Sequence, residues 1–271
     1  KTSELGQRIA RNQQLLLKGE SHFDKVNDPA AGSYYIETIT DKLIKGAWDI
    51  FLQTEEKGGY LKAFDSGFVA EKIKSESAKL MNDIAFKKKV VLGTNQYPNI
   101  NEAFTDFNIP DLDSPDGKFI KPFRYAAEFE RLRNKTDLYS KNSRRPKVWM
   151  FTYGNIAMLK ARSQFAGNFF GCAGFEIIDN TAFKTIEEGI KAAKADNPDI
   201  VVICSSDEEY SEIALPVFEA LKKDFILVLA GYPKDLVEEL QDKGFTNFIH
   251  IKSNILEELN RYQKELLGAG C

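Results

Sequence analysis

From Pro146 onward the chain repeats one unit, a short apolar run followed by an amphipathic stretch, five times over. No other feature constrains its fold as tightly. The runs read as strands at Val148–Thr152, Phe175–Ile178, Ile200–Cys204, Phe225–Ala230 and Phe248–Ile251. Continuous apolar runs of this length fit strands buried on both faces. Helices are expected near 156–171, 183–195, 207–223, 234–243 and 254–267. Ile213, Val217 and Leu221 share one stripe of the third, and Ile255, Leu259, Tyr262 and Leu266 one stripe of the last. Pro233 stands just inside the start of the fourth helix, where a missing N–H costs nothing. Gly244 stands just past its end, where a left-handed cap is wanted. Parallel strands need crossover connections, so the expected fold is α/β: a five-stranded parallel sheet, helices on both faces, flavodoxin-like order 2-1-3-4-5. Ligands in such sheets sit beyond the carboxyl ends of the strands at the switch point. The loops to inspect are therefore Tyr153–Met158, Ser205–Glu209 and Gly231–Pro233.

The first part of the chain has a different character. Ser3 can cap a helix running to about Lys18, with Leu5, Ile9 and Leu16 on one face and Gly19 ending it. A long helix carrying Ile39, Leu43, Trp48 and Phe51 follows and is broken at Gly58-Gly59. So much helix with hardly any sheet fits either a bundle of its own or the closing piece of a larger α/β barrel. Residues 94 to about 124 are irregular, with Pro98, Pro110, Pro115 and Pro122. A charged helix from Tyr125 to Tyr139 comes next, then Lys141–Pro146 as a hinge. The expected division is 1–93 helical, 94–145 linker with one helix, and 146–271 the α/β domain.

Composition narrows the function classes. With 271 residues, 43% hydrophobic and 28% charged, the chain is globular. A net charge of −3 gives no support for nucleic-acid or anionic-membrane binding. No apolar run approaches the roughly 20 residues of a membrane span. The start at Lys1 lacks an initiator Met and an apolar leader, which suggests processing or a fragment of something longer. Cys172, Cys204 and Cys271 are too few and scattered for a disulfide framework, so a cytoplasmic location is expected. His22 and His250 lie too far apart in sequence to suggest a metal site.

Particular residues carry a resemblance to a known family. Arg8-Ile9-Ala10-Arg11-Asn12, Glu20-Ser21-His22 and Asp28-Pro29-Ala30-Ala31-Gly32-Ser33-Tyr34-Tyr35-Ile36-Glu37 resemble the end of the substrate barrel of methylmalonyl-CoA mutases. The family pattern there is close to RxARNxQ, EES and DPxGGSYYxE. Gly58-Gly59 and Val91-Gly93-Asn95-Tyr97 resemble its later GG and VGxNxY segments. The resemblance implies that 1–93 closes a TIM-type barrel. It also implies that 146–271 is similar to a domain that binds adenosylcobalamin through DxHxxG after the first strand, a Ser-x-Leu after the third and a Gly-Gly after the fourth. An imidazole there ligates cobalt, an acid orients it, and glycines let the backbone approach the ligand.

The chain departs from that pattern. Ile156 stands where the family has Asp, Met158 where it has the ligand His, and Ala161 where it has Gly. Ser205-Ser206 keeps only part of the serine motif, and Ala230-Gly231 replaces Gly-Gly. The resemblance therefore implies a degenerate cobalamin site, with no catalytic residue, metal or cofactor held by this chain. Two-subunit members of the family pair a small chain of this kind with a large subunit that binds adenosylcobalamin and isomerises methylmalonyl-CoA and succinyl-CoA. The expected role is the C-terminal part of such a small subunit: a non-catalytic, structural component of an isomerase heterodimer. The alternatives are a cobalamin- or small-ligand-binding module with non-standard ligation, and a flavodoxin-like regulatory domain unrelated to the mutases.

Several residues have a plainer reading beside the chemical one. Met158 is read as a gap-filler over a collapsed pocket rather than a cobalt ligand. Cys204, ending an apolar strand, is read as a buried inert thiol. His22 is read as a satisfied structural histidine and His250 as structural or solvated. Tyr34, Tyr35 and Glu37 are read as stabilising a barrel closure, and Arg144-Arg145 as a solvated hinge rather than a phosphate site. Ser205–Glu209 is read as a helix N-cap with acids in the first turn. Apolar faces carrying Leu5, Ile9, Ile39 and Leu43 are expected to be exposed and to drive self-association.

Overall fold

The computed structural model describes residues 3–103 and 123–268. Pro110, Pro115, Pro122 and Cys271 lie outside the described residues. The chain divides into two compact units, 1–72 and 73–271.

The first unit is helical. Helix α1 (Glu4–Gly19) starts as expected at Ser3, whose Oγ accepts a hydrogen bond from Gly6 N at 3.1 Å. Gly19 is its last helical residue rather than its cap; Glu20 N–H donates to Leu16 O. Helix α2 (Tyr34–Glu56) ends before Gly58 and Gly59, whose φ of 89° and 90° only glycine adopts without strain. Helix α3 (Tyr60–Asp65) follows, and helix α4 (Phe68–Ala85) runs from this unit into the next. Neither α1 nor α2 buries a residue: Leu5, Ile9, Ile39, Leu43 and Trp48 are all exposed. Tyr34 is 93% exposed, and Tyr35 and Glu37 are exposed with it, so these residues close nothing in this chain. Glu37 Oε1 instead accepts a hydrogen bond from Gly32 N at 3.2 Å at the turn into α2. His22 is exposed at φ 55°, and among the described residues its imidazole has no hydrogen-bond partner, contrary to the expected satisfied histidine.

In the second unit, five parallel strands take the order β2-β1-β3-β4-β5, as the alternation implied. They are β1 (Lys147–Thr152), β2 (Glu176–Ile178), β3 (Ile200–Cys204), β4 (Ile226–Ala230) and β5 (Phe248–Ile249). Every residue of β3 is fully buried. Successive side chains point to opposite faces. Ile200, Val202 and Cys204 therefore enter one cluster and Val201 and Ile203 the other. The first cluster is covered by helices α5 (Ala127–Tyr139), α6 (Ile156–Gly171) and α10 (Ile255–Leu267). The second lies under α7 (Ile186–Asp196), α8 (Tyr210–Leu221) and α9 (Lys234–Asp242). The expected stripes face inward: Ile213, Val217 and Leu221 on α8, and Ile255, Leu259 and Tyr262 on α10, are buried. Pro233 is the N-cap of α9, and Gly244 follows that helix at φ 90°.

Two sequence readings change. The unit division falls between residues 72 and 73, not after 93, because the later part of α4 and the turn after it pack on the α/β core. Ile84 belongs to the first cluster. Asn95 is fully buried: its Nδ2 donates to Ile84 O and Lys89 O, both at 2.9 Å, and its Oδ1 accepts from Val91 N at 2.8 Å. Tyr97 N donates to Asn168 Oδ1 at 2.6 Å, tying this turn to α6. The segment before β1 is solvated at 141–144, as read, but its end is tied down. Arg145 pairs with the buried Asp137 at 2.5 Å and donates to Gly174 O, while Arg144 pairs with Asp199 at 2.7 Å.

Helix α7 approaches β1 closely at Gly189. A Cβ there would lie 2.5 Å from the Phe151 ring. Alanine raises helix propensity by about 1 kcal/mol, but overpacking a core costs typically 1–3 kcal/mol. Gly189→Ala is therefore expected to lower stability despite the better helix former; urea denaturation measures the sign.

Candidate functional site

The switch point lies between β1 and β3, where the chain leaves the sheet in opposite directions. Two loops meet there: Tyr153–Asn155 after β1 and Ser205–Glu209 after β3. The Glu209 carboxylate sits between them. Its Oε2 accepts hydrogen bonds from Ser205 Oγ at 2.5 Å, Ser206 Oγ at 2.9 Å and Ser206 N at 3.2 Å. Its Oε1 accepts from Asn155 N at 2.9 Å. Ser205 Oγ also lies 2.7 Å from Tyr153 O. The hydrogen bond from Ser205 Oγ, helped by those from Ser206 and Asn155, holds the Glu209 carboxyl below the usual glutamate range.

This arrangement is local in origin. Ser206 and Glu209 form a capping box: Glu209 N donates to Ser206 Oγ at 3.3 Å while the carboxylate takes Ser206 N. The expected N-cap at Ser205–Glu209 is thus present, but its carboxylate also reaches across to the β1 loop. Gly154 makes room for it. At φ 84°, a Cβ on residue 154 would fall 2.2 Å from the carboxyl group.

The next gap, between the ends of β3 and β4, is filled as well. The Tyr210 hydroxyl donates to Ala230 O at 2.8 Å and accepts from Ser205 N at 3.2 Å. Burial pushes its pKa up. Arg162, from α6, pairs with Asp207 at 2.8 Å. A Cβ on Gly231 would lie 3.2 Å from both the Arg162 guanidinium and the Tyr210 ring. The close approach that Gly231 permits is therefore taken up by the chain's own side chains.

The residues singled out from the sequence separate into two groups. Ser205, Ser206, Ala230 and Gly231 are buried together at the strand ends. Ile156, Met158 and Ala161 lie outside, on the exposed side of α6. Ile156 is 71% exposed and Met158 39%, so Met158 does not fill the pocket, contrary to expectation. The cause is the helix start: Asn155 Oδ1 accepts from Ala157 N and Met158 N, which turns this first helical turn toward solvent. Of the groups that fill the crevice, Glu209 lies in a loop that the sequence singled out but was read only as a first-turn acid, while Tyr210 and Arg162 were missed. The Ser-x-x-Glu spacing after β3 was the available signal for the first.

Metal and thiol chemistry find little here. Among the described residues no cluster of three or more His, Cys, Asp or Glu could hold a metal ion. Burial pushes the Cys172 thiol up to about 12 and the Cys204 thiol also upward, so both are neutral at pH 7. His250 follows β5, away from the β1 loop; its Nδ1 accepts from Lys252 N at 3.2 Å and its ring packs 5.1 Å from that of Tyr232.

With this geometry established, comparisons with known proteins add the following. A family model described as methylmalonyl-CoA mutase matches residues 1–137. The methylmalonyl-CoA mutase small subunit of Porphyromonas gingivalis is 45% identical over 267 residues, covering 96% of this chain and 43% of that protein. The probable methylmalonyl-CoA mutase small subunit of Mycobacterium tuberculosis is 35% identical over 257 residues, 93% of this chain and 40% of that protein. Similarity to the methylmalonyl-CoA mutase of Escherichia coli, at 39% identity, covers only 38% of this chain and 15% of that protein. The chain thus spans about two-fifths of the small subunits it matches.

Glu209 provides a pH test of the crevice. A carboxyl held low in the folded state adds stability above its unfolded pKa, about 4.3, and loses it as pH falls through its lower folded value. Glu209→Gln is expected to be less stable than the parent at pH 7, with the gap closing as pH falls toward 3. Urea titrations across that range measure it.

Proposed function

Since the chain belongs to the methylmalonyl-CoA mutase family, we propose that it is the C-terminal part of a small subunit that pairs with a large catalytic subunit and carries no catalysis of its own. In this reading the large subunit holds adenosylcobalamin and interconverts methylmalonyl-CoA and succinyl-CoA in the cytoplasm. The small chain acts as a structural partner.

The observation that carries the reading is the filled crevice. The site that the family resemblance implies would need an imidazole on the loop after β1 and space between the strand ends. The residues present do not fit that requirement. The chain's two histidines stand at 22 and 250. The space between the loops holds the Glu209 carboxylate, and the room beside Gly231 holds Arg162 and Tyr210. A thioether at Met158, turned to solvent, does not replace the imidazole. The relatives named small subunit support the same reading, as does a helical first unit with an unpaired apolar face suited to the remainder of a barrel. Among the described residues no helix is long and apolar enough to cross a membrane.

Titration of the purified chain with hydroxocobalamin is expected to leave the α and β absorbance bands unshifted. A shifted spectrum that co-elutes with the protein would establish non-standard ligation and sink the reading. Co-expression with a large mutase subunit is expected to yield a co-purifying pair; full mutase activity without the small chain would remove its structural role. Alone, the chain is expected to self-associate through Leu5, Ile9, Ile39 and Leu43. Light scattering checks this, and Leu43→Lys should reduce the associated fraction.

A further inference from the structure

A second cavity lies apart from the crevice and shares no residue with it. It holds about 250 Å³ and is lined by eight residues: Phe86, Lys87, Phe165, Phe169 and Ile255, with His250, Ile251 and Ser253 on one connection. The walls come from the turn after α4, one face of α6 and the connection from β5 to α10. Five of the eight are apolar or aromatic; the polar ones are Lys87, His250 and Ser253, whose hydroxyl accepts from His250 N at 3.0 Å.

The charge at this cavity is one-sided. Lys87 is half-buried, and among the described residues its ammonium has no ion-pair or hydrogen-bond partner. The acid-capable group that acts on it is the Cys172 thiol, which is pushed up to about 12 and carries no charge at pH 7. Burial accordingly lowers the lysine's pKa. A half-buried cation without a counter-ion costs free energy that an anion would recover. Further positive charge stands nearby: the Lys88 ammonium lies 5.8 Å from the centre of the Phe86 ring, and Lys252 acts on His250. The carboxylate that acts on His250, Glu258, is already paired with Arg261 at 2.7 Å. With Nδ1 accepting from Lys252 N, a neutral His250 carries its proton on Nε2, as a donor.

The backbone adds an independent sign. Lys87 adopts φ 56°, a left-handed position where glycine or asparagine is the low-cost residue. A lysine kept there puts its stem on the cavity wall.

From this geometry we propose that the cavity binds a small organic monoanion, a carboxylate on a compact apolar body, with Lys87 opposite the charge and Phe165 and Phe169 against the body. The volume equals roughly eight waters at about 30 Å³ each, which suits a single ring or a short branched chain. The site is independent of the assembly reading above.

The test uses the full chain and benzoate as probe, with benzyl alcohol and benzylamine as neutral and cationic counterparts. Calorimetry measures affinity, and amide shifts of Ile251 and Ser253 in nitrogen-edited NMR report the place. Benzoate is expected to saturate with a Kd in the low millimolar range, with benzyl alcohol and benzylamine at least ~10-fold weaker. Lys87→Met, which keeps the stem and removes the charge, should weaken benzoate ~10-fold without changing benzyl alcohol, and Lys87→Arg should restore it. Equal affinity for benzoate and benzyl alcohol, unchanged affinity in Lys87→Met, or no saturation by about 20 mM benzoate would each overturn the proposal. The comparison of probes on the parent chain stands even if a variant fails to fold.

Discussion

Burial of β3 on both faces governs the layout of residues 146–267. A strand whose residues are all fully buried cannot be covered by one layer, so helices must lie above and below it. Parallel neighbours on each side, β1 and β4, then follow from the crossover helices that supply those layers. The close approach of α7 at Gly189 and the packing of α6 and α10 on the opposite face are local answers to that demand. So is the recruitment of Ile84 and the turn held by Asn95, which extends the core beyond the repeating pattern.

The carboxyl end of this sheet is where the fold offers space to a ligand. Here that space is used internally. One carboxylate bridges the loops after β1 and β3, and its partners are two serine hydroxyls and two backbone N–H groups. The cavity beside Lys87 is the opposite case, a largely apolar hollow with a cation that has no ion pair or hydrogen bond among the described residues.

The helical first unit shows how far a sequence pattern can be correct about helices and silent on their cover. Ser3, Gly58 and Gly59 punctuate it as local chemistry requires. The apolar residues of α1 and α2 remain exposed, because no surface among residues 3–72 buries them. In the second unit, periodicity located every strand to within a residue or two and oriented α8 and α10 correctly. It misjudged Arg145, because nothing local announces that the buried Asp137 will be adjacent.

By itself the sequence determined the strands, the helices, their order and the family, since each depends on spacing, caps and short motifs that act within a few residues. It also shows Ile156, Met158 and Ala161 at the positions where the resemblance implies Asp, His and Gly, because identity there needs no coordinates. The tertiary structure alone decided what fills the crevice. Glu209, Tyr210 and Arg162 reach the strand ends from separate elements, and the cavity at Lys87 gathers three segments lying up to about 170 residues apart. Side-chain reach across a folded sheet is a property of packing, and no periodicity along the chain encodes it.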